Sequence, residues 1–345
     1  RYRDPHRNSA QRIRVRLRFL PDFIHHLLPD EPHRLRIRVL SIRFLHLHGR
    51  RLRIGAGLML HAFHSNWTRP FFVRNPRGSY AIEPFELLTT ALSALTWRRE
   101  NGTIRMICDS EARRYYQSLG LSFLWDGGIH PLLDAIPDDV NAMAFWAAGK
   151  LYALSAMPSP CVMIDTDLIC WKPLAPLLNG LDAAAVHRED IMPDIYPDPA
   201  AFRCTQGFDF DRFDWSVQPF NTALAYFGKD SFRRYYTDTA IDFIRRSPQA
   251  DDVLTYMVFA EQRLLAMCAR QRSIRSAALS DLPSLFGGEQ QGYFTHVWGF
   301  KQQMRDDPLL YEDFCRRCAA RLSRDFLEAA AQIAAIPTLS PYFTA

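Results

Sequence analysis

A chain of 345 residues with 48% hydrophobic content is long enough for one large domain or two, and for a sizeable core. Its formal charge of +5 is unevenly placed: residues 1–58 hold 14 Arg against 4 acidic residues, whereas the rest holds 28 Lys and Arg against 33 Asp and Glu. The body is mildly acidic, which argues against a nucleic-acid binder, and no apolar run reaches the roughly 18 residues of a membrane span.

Residues 12–19 and 34–39 alternate Arg with apolar residues, the period of a strand with one cationic face. Such a stretch suits a basic arm for nucleic acid or anionic lipid. The first methionine, however, is Met59, directly before the first strand pattern. Residues 1–58 are therefore expected to be an Arg-rich leader outside the native domain. Its apolar patches are too short and too interrupted for a signal peptide. The seven cysteines are odd in number and lie mostly in apolar segments, as buried free thiols do. That usage predicts a reducing compartment, hence a cytoplasmic protein, free or peripheral at a membrane. Cys315-Arg316-Arg317-Cys318 lacks a second pair and reads as structural.

From Met59 onward strands and helices alternate. Residues 59–64 read as a strand followed by the polar turn Ser65-Asn66-Trp67. Phe85, Leu88, Leu92 and Leu95 predict a helix over 83–97. A strand over 103–108 leads into a helix capped by Asp109 and stopped by Gly120. A short strand is expected over 121–125 and a long helix over 140–157. Another strand follows over 183–187. Residues 190–215 are rich in Pro, Asp and aromatics without a period, the mark of a functional or mobile loop. A strand over 219–228, helices over 231–246 and 251–270, and amphipathic helix over 308–334 complete the reading. The pattern predicts an α/β fold.

The apolar run that opens at Cys161, after Pro158 and Pro160, breaks into Asp165-Thr166-Asp167. At a strand end, side chains two apart share one side. Two carboxylates converging there repel each other and raise one pKa. A divalent cation that favours hard oxygen ligands, Mg2+ or Mn2+, removes the conflict. Ligands of open α/β sheets sit beyond the carboxyl ends of the strands. The other Asp-x-Asp, Asp209-Phe210-Asp211, follows no apolar strand. A pair of solvated acids is the alternative reading of Asp165 and Asp167.

Several separated pieces resemble GT-A fold glycosyltransferases: the first strand ending in Ser65-x-Trp67, Asp109 after the second strand, and Trp146 and Lys150 ahead of the Asp-x-Asp strand with Trp171-Lys172-Pro173. The chain looks similar to an uncharacterised bacterial family of glycosyltransferase-like proteins. More distantly it resembles the glycogenin-like and lipopolysaccharide galactosyltransferase-like enzymes. In those, a late His-x-x-Gly-x-Lys supplies a metal ligand and a phosphate-binding lysine; here it is matched by His296-Val297-Trp298-Gly299-Phe300-Lys301.

The resemblance implies a Rossmann-like mixed sheet flanked by helices over 59–301, with 302–345 as a C-terminal helical extension. It implies a hexosyltransferase-like, metal-dependent enzyme that moves a sugar from a nucleoside diphosphate sugar to a glycan, lipid or protein acceptor. Asp165, Asp167 and His296 would be the metal ligands, for Mn2+ or Mg2+. Ser65, Trp67, Asp109, Lys150, Thr166, Gly299 and Lys301 would hold the donor. Asn221, Glu261 and Gln262 match polar positions near the transferred sugar; with Glu189, at the end of the strand over 183–187, they are the candidate catalytic residues. Two departures stand out. Gln302-Gln303 replaces the Pro-Trp that often follows the lysine, and the region between Asp167 and Asn221 matches no acceptor loop.

Each residue also has a plainer reading. Asp109 is an N-cap, and Ser65 and Trp67 form a turn with a core aromatic. Lys150 snorkels at the surface, although lysine is scarce here, with 4 against 38 Arg. Glu261 faces water from a helix, and His296 is a core histidine beside Tyr293, Phe294 and Trp298. A nucleotidyltransferase is the competing enzyme class, but no Gly-rich phosphate loop lies between Ser65 and Pro70. A non-catalytic protein binding a sugar nucleotide or a partner on the same scaffold is the other alternative.

Overall fold

The computed structural model describes residues 59–287 and 292–344, so the Arg-rich leader lies outside the described residues. The strands are β1 (Ala62–Asn66), β2 (Ile104–Cys108), β3 (Ile129–His130), β4 (Cys161–Ile164), β5 (Leu168–Cys170), β6 (Ala183–Arg188), β7 (Phe220–Phe227), β8 (Ser276–Ala278) and β9 (Phe294–His296). Seven of them form one sheet in the order β3-β2-β1-β4-β7-β6-β8. Its first four strands are parallel neighbours, and β7 runs antiparallel between β4 and β6. A separate antiparallel pair joins β5 to β9. The fold is α/β, a mixed sheet flanked by helices, as expected.

Every residue of β4 and of β7 is buried, which is why both read as unbroken apolar runs rather than alternating ones. Their side chains nevertheless divide between two cores. Val162 and Ile164 point to the face covered by α2 (Pro84–Glu100, after the short α1, Arg69–Arg74) and the C-terminal helices, while Cys161 and Met163 point to the other. That second face is packed by the helix Ala148–Ala156, by Asp230–Arg245 and by Leu264–Gln271. Phe314, Cys318, Leu322 and Ile333 of the C-terminal segment join Leu88 and Leu92 in the first core. All seven cysteines are free thiols, six of them buried. Among the described residues no helix is long and apolar enough to cross a membrane.

Three expectations are corrected. Residues 121–125 are not a strand: Gly120, at φ +69°, starts a 3-10 turn over Leu121–Leu124, and β3 comes later, after Gly128 at φ +83°. The helix expected over 140–157 is regular only over Ala148–Ala156. Before it, the Asn141 carboxamide oxygen accepts from the backbone N–H groups of Met143 and Ala144, both at 3.1 Å, and competes with helix formation. The helix expected over 251–270 is broken by a π turn at Phe259–Arg263.

Candidate functional site

The site begins where β4 ends. The Asp165 N–H donates to the Ala223 carbonyl of β7 at 2.7 Å, and the Leu168 N–H donates back to the Asp165 carbonyl at 3.1 Å. Asp165-Thr166-Asp167 is thus a tight turn, and the two carboxylates flank it instead of sharing one face of an extended strand. Thr166 is its apex. From the turn the chain enters β5, whose Leu168 is the Cα partner of His296 in β9. The Val297 N–H donates to the Asp167 carbonyl at 3.1 Å, and the Trp171 indole N–H donates to Thr295 Oγ1 at 2.9 Å, fixing the register. As a result Asp165, Asp167 and His296 each offer one ligand atom, all within 4.8 Å of one another. His296 Nε2 stands 3.8 Å from Asp167 Oδ1. The half-exposed Trp298 ring stacks beside the imidazole, with centroids 6.0 Å apart.

Two lysines close on the same turn. Lys150 Nζ lies 2.7 Å from Asp165 Oδ1 and also contacts Glu261 Oε1. Lys301 Nζ lies 3.1 Å from Asp167 Oδ2 and 3.0 Å from Glu86 Oε1 of α2. Gly299 sits in the 3-10 turn Trp298–Phe300 that delivers Lys301 to this position. These pairings set the electrostatics. Burial pushes the Asp165 carboxyl up to about 7, with Lys150 pulling against it and Asp167 and Glu261 adding to the rise. Burial acts on Asp167 in the same sense, yet Lys301, His296 and Lys150 together hold it down at about 2. Burial lowers His296 to about 4 against the pull of Asp167, so the imidazole is neutral at pH 7. Both lysines are raised: burial alone would lower them, and their carboxylate partners prevail.

The donor set fits a divalent cation. An octahedral ion with bonds of about 2.1 Å holds its ligands about 3–4 Å apart; here His296 Nε2 and Asp167 Oδ1 are 3.8 Å apart and all three donors lie within 4.8 Å, so small side-chain rotations bring them onto one ion.

Next to this cluster lies a chain of polar contacts on β6, β7 and the π turn. Asn221 donates to Glu189 Oε1 at 2.9 Å, and the Thr222 hydroxyl donates to Glu261 Oε1 at 2.6 Å. Glu261 is therefore buried and paired, where its place in a helix predicted exposure; the π turn redirects it inward. Gln262 accepts from the Tyr196 hydroxyl. The buried Arg263 guanidinium donates to the carbonyls of Tyr196 at 2.9 Å and Trp215 at 2.7 Å. Together they tie the aperiodic segment 190–215 to the site.

The remaining predicted residues form a separate group at the ends of β1 and β2. One oxygen of Asp109 accepts from the Ala112 N–H at 2.9 Å, which is the helix cap. Its other oxygen accepts from the Thr68 N–H at 2.6 Å and hydroxyl at 2.8 Å. Asp109 thus staples the two loops. Trp67 is a buried core aromatic under the Arg69 guanidinium, 5.2 Å from its ring centroid. It packs so closely on Gly149 that a Cβ there would meet Trp67 Cβ at 2.7 Å. Ser65 is half-buried at the end of β1. Among the described residues no hydrogen bond or ion pair joins Ser65, Trp67 or Asp109 to the Asp165–Lys150–Glu261 group.

No protein-family model and no curated protein matches the sequence. Solved structures similar to it include PaToxG glycosyltransferase, at 14% identity over 83% of this chain and 86% of that one, with a TM-score of 0.36. Another is the active-site mutant Q189E of LgtC, at 10% identity over 64% and 72%, TM-score 0.33. A third is the glycosyltransferase GlyE of Streptococcus pneumoniae TIGR4, at 14% identity over 73% and 52%, TM-score 0.35.

Sequence reasoning missed four residues. Glu86 lies in the first turn of α2, where an acid is explained by the helix dipole. Thr222 stood inside an apolar strand beside the expected Asn221. His64 and Ser93 are fully buried polar residues, and their only sequence signal was a polar side chain at a core position. Trp125 donates to His64 Nδ1 at 3.1 Å, so Nε2 carries the proton and donates to Ser93 Oγ at 3.0 Å. The Ser93 hydroxyl then donates to the Leu168 carbonyl at 2.6 Å, one residue beyond Asp167.

Proposed function

We propose that the chain is a metal-dependent glycosyltransferase that moves a sugar from a nucleoside diphosphate sugar to a glycan, lipid or protein acceptor. One observation carries this reading: two carboxylates, a neutral imidazole and two ammonium groups converge beyond the carboxyl end of β4. That combination answers the chemistry of a departing diphosphate, which needs cationic stabilisation on several oxygens at once. The resemblance of His296 to Lys301 to a late His-x-x-Gly-x-Lys supports it. In this reading Asp165, Asp167 and His296 hold Mn2+ or Mg2+. When bound, such an ion supplies Lewis acidity to the leaving diphosphate and orients the donor.

The protein's own groups do the rest. Lys301 and Lys150 add positive charge where negative charge develops. Thr166 and the backbone around Gly299 border the diphosphate, and Ser65, Trp67 and Asp109 shape the nucleotide end. Glu189, Asn221, Glu261 and Gln262 form the polar wall facing the sugar. Segment 190–215, held by Arg263, borders the acceptor side. The test is to incubate the protein with a panel of nucleoside diphosphate sugars, with and without Mn2+, and to measure nucleoside diphosphate release. Metal-dependent release from one donor is expected. Failure of every donor both to turn over and to raise the melting temperature would count against the reading.

A further inference from the structure

Each aspartate of the turn is already claimed. Lys150 takes Asp165 Oδ1 at 2.7 Å, and Lys301 takes Asp167 Oδ2 at 3.1 Å. A cation held by these carboxylates has to share or displace those ammonium groups, because they seek the same lone pairs. Building on the cation site proposed above, we propose that Lys150 and Lys301 are exchangeable counter-ions. They compete with the divalent cation for Asp165 and Asp167, and pass to the anionic ligand that arrives with it.

Three observations carry this. First, each lysine has a second tether. Lys150 also contacts Glu261, which is itself fixed by the Thr222 hydroxyl at 2.6 Å. Lys301 also holds Glu86 at 3.0 Å, beside Arg305 at 3.8 Å. A lysine that leaves its aspartate therefore keeps a glutamate partner, and the large cost of an unpaired buried charge is avoided. Second, the four carboxylates Asp165, Asp167, Glu261 and Glu86 meet two lysines and, at Glu86 alone, the more distant Arg305. A divalent cation adds positive charge where carboxylates still outnumber cations.

Third, the choice of residue fits exchange. The chain holds 4 Lys against 38 Arg, and two of the four stand on these two aspartates. A guanidinium would grip a carboxylate with a planar fork of parallel hydrogen bonds. An ammonium is a compact charge that turns from one oxygen to another with little geometric penalty. Where a contact must be made and released, lysine is the better choice. Linkage makes the effect reciprocal: an anion that draws the lysines away tightens the cation, and the cation tightens the anion by the same factor.

The test measures Mn2+ binding to the metal-free protein by electron paramagnetic resonance of free Mn2+, with UDP as the anionic probe. Lys150→Met and Lys301→Met should bind Mn2+ alone about tenfold or more tightly than wild type, having lost a competitor. Lys150→Arg and Lys301→Arg keep the charge but grip the carboxylate, so they should bind it several-fold more weakly. Arginine variants that match wild type would overturn the proposal, since a simple field effect predicts no change at constant charge. UDP should tighten Mn2+ less in the Met variants than in wild type, and an undiminished factor would refute the hand-over. The two lysines are substituted one at a time, so a variant that fails to fold at one position leaves the other position to decide. If no variant and not even wild type binds Mn2+, the cation site itself is wrong, an outcome distinct from both.

Discussion

Leu168 and His296 are Cα partners across the antiparallel pair β5–β9, and this register places the imidazole beside Asp167. The pair lies outside the main sheet, so the third donor of the site depends on three residues of strand on each side. Ser93 of α2 grips the same strand from beneath through the Leu168 carbonyl. The aspartate turn is thus held from β7, from β9 and from α2.

The two aspartates should differ when mutated. Asp165 is pushed up to about 7 by burial, so neutralising it sacrifices little, and Lys150 keeps Glu261. Asp167 is held near 2 by Lys301 and His296 despite its burial. Asp165→Asn should change stability by less than about 1 kcal/mol, whereas Asp167→Asn should cost about 2–3 kcal/mol. Both should abolish metal-dependent donor turnover. Denaturant melts of the two metal-free variants provide the comparison, and equal destabilisation would contradict the assigned pairings.

Acid should weaken the fold through His64. Burial lowers this imidazole from its ordinary value of 6.5 to about 3. Between those values the native state binds fewer protons than the unfolded state. Its contribution is therefore complete above about pH 6.5 and is lost as pH falls toward 3, at up to about 1.4 kcal/mol per pH unit. His296 acts in the same sense and the raised Asp165 in the opposite one. Both remain in His64→Gln, so the difference between wild type and variant isolates His64. The gap in unfolding free energy should narrow steadily from pH 6.5 to pH 4.5. A constant gap would mean that the imidazole is not held neutral.

Much of this was legible in the sequence, for reasons that particular residues make plain. β4 and β7 were readable because burial on both faces writes an uninterrupted apolar run. The Asp165–Asp167 pair was readable because two charges break that run. Glu261 was not, because helical periodicity carries no trace of the inserted residue that makes a π turn at Phe259–Arg263. Leu121 to Trp125 misled because five apolar or small residues fit a strand as well as a 3-10 turn. Glu86 was silent because its partner, Lys301, is remote in sequence and meets it only through the fold.

Arg263 should govern the aperiodic segment. Its guanidinium is buried, holds the carbonyls of Tyr196 and Trp215, and lies 4.9 Å from the Trp215 ring centroid. Arg263→Met frees both carbonyls, at a cost of about 2–4 kcal/mol in stability. Limited proteolysis should then cut within 190–219 at least tenfold faster than in wild type, with Mn2+ binding preserved. Unchanged cleavage there would show that the segment is held by its own aromatic packing.

The metal preference should be rewritten at His296. A neutral imidazole is a good ligand for Mn2+ and a poor one for Mg2+, which demands oxygen donors in a tight octahedron. His296→Asp converts the set to three carboxylates. The shorter side chain must still reach from β9, whose register with β5 is fixed by backbone bonds and by Trp171 on Thr295, neither of which the substitution touches. Added negative charge should tighten both ions, but Mg2+ more, so the ratio of Mn2+ to Mg2+ affinity should fall by about tenfold or more. Mg2+ competition against the Mn2+ resonance signal gives that ratio directly. His296→Ala, which removes a ligand without adding charge, should weaken Mn2+ and leave Mg2+ nearly unchanged. Parallel losses of both ions in His296→Ala would show that the imidazole supports the turn without binding the metal, and the resemblance to the late His-x-x-Gly-x-Lys would then rest on Gly299 and Lys301.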